Sequence, residues 1–249
     1  MRAQARCRQS HAAATAVPVK RIMTKKLVSS LAAVVLAAFC GLAQAETVSF
    51  TGFAHGSHTV TATLTAPDNT ALVRSVSAGG FTTILNGGPS FESYCVDLYQ
   101  NIAFGAPPYT EYVDAGSGHV FTNGNAYADL SRLYATAGLV NNALTEAAFQ
   151  IAVWEIAYEK TGTAYNLASG AASFAGGSAA SSGALTLAST WLTNLAAGGP
   201  SIGVLESRLH QDVIYAQPVP EPEVVFLMAA GLLGVSAAAR RKAKAKSQA

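Results

Sequence analysis

Two uncharged apolar segments, Leu27 to Leu42 and Val224 to Ala239, take both ends of this chain out of any folded core. The first follows Lys25-Lys26 and runs into Ala43-Gln44-Ala45 before Glu46. A positive start, an apolar stretch and a small-x-small site make a secretory signal peptide, cleaved after Ala45. Met23 is the more natural start, with the residues before it an extended leader or a misplaced beginning. Cys40 suggests lipid attachment, but the bulky Phe39 precedes it where a lipoprotein signal needs a small residue. The second segment, about 24 Å long as a helix, is short of the roughly 30 Å hydrocarbon core unless flanking side chains snorkel. It still holds a tail in a membrane. Arg240, Arg241, Lys242, Lys244 and Lys246 follow it and stay cytoplasmic by the positive-inside rule, so the rest of the chain faces outward.

Residues 1–45 and 218–249 are therefore address labels, and 46–217 is the body. Roughly 175 residues suffice for one domain with a real core. The formal charge of +2 misleads, because seven of the sixteen basic residues precede the body and five follow it. The body has Arg74, Arg132, Lys160 and Arg208 against twelve acidic residues, a balance of −8 that argues against nucleic-acid partners. With Cys7 and Cys40 removed, Cys95 is its single cysteine. In an exported protein this thiol is a packed group, an intermolecular link or a reactive group, because it has no partner for an internal disulfide.

The body reads as α+β, mostly antiparallel strands with two or three helices. Thr47 to Phe50, Thr59 to Leu64 and Phe81 to Leu85 alternate and are rich in Thr, Val and Phe. Pro67-Asp68-Asn69, Gly79-Gly80 and Asn86-Gly87-Gly88-Pro89 supply turns between them. Cys95 falls on the next strand, whose alternation puts Tyr94, Val96 and Leu98 on one face and Cys95, Asp97 and Tyr99 on the other. Residues 126 to 137 have helical spacing and stop at Gly138. Thr145 as an N-cap, with Glu146 in the first turn, opens a second helix with an apolar stripe of Phe149, Ala152, Val153 and Ile156. Gln150 and Trp154, four apart, share a side of it. The small-residue run Ser169 to Gly183 reads as a flexible loop, Leu185 to Leu195 as a helix, and Gln211 to Tyr215 as a closing strand.

Two resemblances follow from these residues. Val219-Pro220-Glu221-Pro222, an apolar helix and a basic terminus resemble a PEP-CTERM sorting signal. That resemblance implies recognition by an exosortase, removal of the tail near Pro-Glu-Pro, and a Gram-negative host that makes exopolysaccharide, with the protein at its surface or in its matrix. Tyr94-Cys95 on a strand, followed after a helix by Gln150-Ile151-Ala152-Val153-Trp154, resembles the thioester domains of bacterial surface adhesins over roughly residues 91 to 154. In that family a cysteine thiol and a glutamine carboxamide condense into an internal thioester. The resemblance implies Cys95 as thiol donor, Gln150 as acyl donor and Trp154 as the motif aromatic, with Tyr94 flanking. It also implies covalent attachment to amine or hydroxyl groups of a surface or matrix target, as one event without turnover, so that the protein is no enzyme and needs no cofactor. The family's usual Thr before the glutamine is Phe149 here.

Two other classes share these features. A cysteine hydrolase needs a histidine base for Cys95, and the body offers His55, His58, His119 and His210, none in a catalytic motif. A structural surface protein needs no reactive bond at all, and Phe149 argues for it. His55-x-x-His58 lacks a second ligand pair at metal spacing, so the sequence assigns no metal.

Overall fold

Among the described residues nine strands and three helices build the body, and every strand pairing is antiparallel. A computed structural model of the chain describes residues 45–65, 71–218 and the single Gly231. The signal segment, the turn expected at Pro67-Asp68-Asn69, the Val219 to Pro222 motif and the apolar and basic tail lie outside the described residues. Among those described, no helix is long and apolar enough to cross a membrane.

Six strands close a barrel in the order β1 (Ala45–Phe53), β4 (Phe81–Leu85), β5 (Ser90–Cys95), β9 (Val213–Ala216), β8 (Ile202–Glu206) and β6 (Tyr109–Asp114), with β6 returning to β1. Closure leaves no open sheet edge in this layer. The turn from β4 to β5 has Asn86 at φ 52° and Gly87 at φ 68°, the left-handed pair a tight turn of this hand requires, as its Asn-Gly sequence leads one to expect. The other sheet has the order β3 (Ala71–Ala78), β2 (His58–Thr65), β7 (Ala172–Gly176).

Helix α2 (Ala143–Tyr158) is packed by both sheets and by the other helices, α1 (Ala126–Ala137) and α3 (Ala179–Thr193). It touches β5 on the barrel side, and β2, β3 and β7 on the other. All residues from Glu146 to Ala157 are buried, so the expected apolar stripe is instead a helix covered all round. Ala147, Ala148, Ala152 and Ala157 let neighbouring elements come close. Phe149, Ile151, Val153 and Ile156 are each buried there, worth about 1.5–3 kcal/mol apiece.

Three further expectations are corrected. The N-cap of α2 is Asn142, whose Oδ1 accepts from the amides of Leu144 and Thr145, while Thr145 Oγ1 accepts from the Asn142 amide as the far half of a capping box. Thr145 was read as the cap because a capping box places hydroxyls or carbonyl oxygens at both ends. Ser169 to Gly183 is not a loop: Ala172–Gly176 pairs with β2, and Ser178 caps α3. Small residues are required there by close packing against Ser181 and Ser182, where a Cβ on Gly176 would meet backbone atoms at 2.9 Å. The strand alternation expected to run on to Tyr99 stops at Cys95, where β5 ends. Strands β3, β6, β7 and β8 went unread in the sequence. Gly138 ends α1 with φ 62°, as expected.

Candidate functional site

A helix buried on every side cannot leave polar groups unpaired, since each unpaired group costs roughly 1–3 kcal/mol. Glu146, Gln150 and Glu155 on α2 are all 0 % exposed, so their partners show what the helix is built around. Gln150 meets Cys95. Its carboxamide Nε2 donates to the Cys95 carbonyl at 2.8 Å, and its Oε1 accepts from the Cys95 amide at 3.0 Å. β4 begins at Phe81, opposite Ser93 and two residues short of Cys95, and the carboxamide acts as the next rung of the ladder. On the other side of β5, Cys95 pairs with Val213 of β9.

The thiol is 1 % exposed, and Sγ donates to the Asp97 carbonyl at 3.0 Å. Burial pushes its pKa up to about 12. The Trp154 indole N–H has no hydrogen-bond partner of its own among the described residues. The ring is stacked on Phe174 of β7 at a centroid distance of 6.0 Å and an interplanar angle of 14°. After Cys95 the chain is held down: the Leu98 amide donates to the Tyr158 hydroxyl at 2.7 Å, and Arg74 donates to the Leu98 carbonyl. A cavity of about 290 Å³ reaches the site, lined among others by Phe53, Arg74, Phe81, Cys95, Phe104 and Trp154.

The structure thus brings Cys95, Gln150 and Trp154 together. Tyr94 takes the other direction, as strand alternation requires. Its ring packs on Phe149 at 4.4 Å and on Tyr134 at 6.2 Å, and its hydroxyl lies at the Glu92 and Glu146 carboxylates. Phe149 also meets Tyr134 at 4.7 Å and is 1 % exposed. The residue that departs from the resemblance therefore fills an aromatic cluster behind the strand.

Each histidine read as a possible base is placed. His55 Nδ1 lies 2.6 Å from Glu146 Oε1, His210 Nδ1 lies 2.5 Å from Glu111 Oε1, and His119 pairs with Glu206. His58 opens β2. Among the described residues none of them is hydrogen-bonded to the Cys95 sulfur. Two contributors were missed in the sequence, Phe174 and Glu146, while Asp97, expected beside Cys95 on the strand, contributes its carbonyl. Phe174 was the lone aromatic in a run of small residues, and a glutamate and a glutamine four apart in an Ala, Ile and Val helix were a signal for buried partners.

The profile of the family described as the PEP-CTERM protein-sorting motif matches residues 218–242. That motif implies an exported surface protein processed by an exosortase in a Gram-negative-type bacterium. No curated protein is significantly similar in sequence. Among solved structures, the N-terminal domain of the Streptococcus pyogenes pilus tip adhesin Cpa is similar, at 11 % identity and a TM-score of 0.40, covering 72 % of this chain and 97 % of that one. A likeness this distant says nothing of what the present chain binds.

Proposed function

We propose that Cys95 and Gln150 condense into an internal thioester, through which the exported protein attaches covalently and once to an amine or hydroxyl on a surface or matrix. The observation that carries this reading is the pair of hydrogen bonds between the Gln150 carboxamide and the backbone of Cys95. They tie the acyl carbon to the residue that owns the thiol. In the condensation the Cys95 sulfur bonds to Gln150 Cδ, the Cδ–Nε2 bond breaks, and the thiol proton leaves with the nitrogen as ammonia. The Cys95 amide, donating to Oε1, stabilises negative charge as it develops on that oxygen. In the second step a target amine or hydroxyl adds to Cδ, its proton passes to the departing Cys95 sulfur, and an amide or ester remains. A thiolate is the better leaving group, so the thioester stores an acyl group that the amide does not. Trp154 and Phe174 cover the sulfur and slow hydrolysis. The target is a surface or matrix component of the host or a neighbour, and exosortase handles the tail, which holds the chain to the membrane before processing.

A second reading has support of its own. The carboxamide satisfies both of its hydrogen-bonding atoms without reacting, and burial keeps the thiol protonated, so the same contact works as a static bracket in a structural surface protein. Peptide mapping after exposure to methylamine separates the two. A thioester places methylamine on Gln150 and frees one titratable thiol at Cys95. A bracket leaves Gln150 unmodified, and that result removes the covalent reading.

A further inference from the structure

On the far side of β5 from the Cys95 sulfur, three ligand-type side chains converge from three elements. His55 comes from the turn between β1 and β2, Glu92 from β5, and Glu146 from the first turn of α2. One ligand atom from each lies within 4.8 Å of the others. We propose that His55, Glu92 and Glu146 bind a divalent cation of the zinc type.

Four observations support the site. First, the donor set is one imidazole nitrogen and two carboxylates, which suits zinc better than calcium or magnesium, whose sites are built from oxygen. Atoms sharing a tetrahedral zinc stand about 3.3 Å apart, within the spread seen here. Second, Glu146 is already oriented from outside. Its Oε2 accepts from the Gly80 amide at 2.9 Å and lies 3.1 Å from the Tyr94 hydroxyl, which leaves Oε1 directed at His55. Such outer hydrogen bonds fix a ligating carboxylate. Third, the backbone is shaped around the two carboxylates. A Cβ on Gly80 would stand 2.6 Å from Glu146 Oε2 and 2.8 Å from Glu92 Oε1, so any side chain there would displace the two carboxylates. Fourth, the two carboxylates have no lysine or arginine partner among the described residues, Arg74 and Arg132 being committed to Leu98, Asn101 and Asp129. Two carboxylates this close, one of them wholly buried, call for positive charge. The His55 side chain is 43 % exposed and gives the ion its entry path and room for water.

Binding here joins β5 to α2. Glu92 precedes Cys95 by three residues, and Glu146 lies one turn before Gln150 on the same face of α2, so the cation holds in register the two elements that also meet at the Cys95–Gln150 contact. The site does not depend on the thioester.

The test uses the full chain in detergent with Cys7, Cys40 and Cys95 each replaced by Ala, so that neither a free thiol nor a failed thioester affects the result. Protein stripped with a chelator is titrated calorimetrically with Zn²⁺ and, separately, with Ca²⁺, and its melting temperature is followed. One equivalent of Zn²⁺ is expected to bind and raise the melting temperature, with His55→Ala and Glu92→Gln each weakening binding by about tenfold or more. Both substitutions spare Glu146, whose loss threatens folding, and the apo melting temperatures of the variants report whether they fold. Zn²⁺ binding that survives both substitutions places the ion elsewhere, for instance at His119 and Glu206 or His210 and Glu111, and overturns the proposal. Absence of binding, or a preference for Ca²⁺, overturns it as well.

Discussion

At the scale of single residues, the Gln150 carboxamide is the piece on which the site depends. Replacing it by Ala leaves the Cys95 amide and carbonyl buried without partners and opens a small cavity. The loss expected is about 2–5 kcal/mol in denaturant unfolding, and a loss below about 1 kcal/mol would show the two hydrogen bonds to be wrongly placed. Phe149 gives a second prediction at this scale. Phe149→Thr restores the residue usual in the resembling family, yet it empties the space shared with Tyr94 and Tyr134. It is expected to destabilise by about 3 kcal/mol. A neutral or stabilising result means that the aromatic cluster does not hold β5 against α2. Cys95, Gln150 and Trp154 were legible in the sequence because their chemistry is specific to residue type. Phe174 was not, because its role comes from the pairing of β7 with β2, a contact between segments more than a hundred residues apart.

At the scale of elements, α2 decides most of the behaviour. Its existence was legible from its apolar content, but its all-round burial was not, because that depends on two sheets closing over it. Glu155 marks the consequence. Its Oε1 accepts from the Asn166 amide at 2.7 Å, its Oε2 has no hydrogen-bond partner among the described residues, and burial raises its pKa to about 7. A carboxyl raised in the folded state binds its proton more tightly there than in the unfolded chain. Its stabilising contribution is therefore complete below the ordinary carboxylate pKa, falls as pH rises from about 4.5 to about 7, and is gone above that. Glu155→Gln keeps an acceptor for Asn166 and removes the titration. Melting temperatures are expected to agree with the parent near pH 4 and to exceed it at pH 8. An unchanged difference across that range contradicts the assigned pKa. The capping box at the start of α2 is a milder case: Asn142→Ala is expected to cost about 1 kcal/mol, measured by the same unfolding experiment.

At the scale of the whole molecule, composition changes abruptly at both ends of the sequence, and at the C-terminal end the sorting motif matches residues 218–242. The α+β class and the antiparallel pairing were legible in the sequence, since alternation and Asn-Gly turns are local signals. Barrel closure was not, because it depends on two short strands, β6 and β8, pairing with each other across a long stretch of chain. The closed barrel on one side and the three-stranded sheet on the other leave α2 a single place to sit, and that place brings Gln150 to Cys95. This account makes the Cys95–Gln150 contact a reactive bond in an exported, exosortase-processed protein. Its most direct test is the intact mass of the exported protein purified fresh under mild conditions, beside its Cys95→Ala variant. The mass predicted is one ammonia below that of the unmodified processed chain, rising by one methylamine on treatment, with neither effect in the variant. A mass equal to the unmodified chain, insensitive to methylamine, contradicts the thioester and leaves Gln150 as a bracket that holds helix to strand.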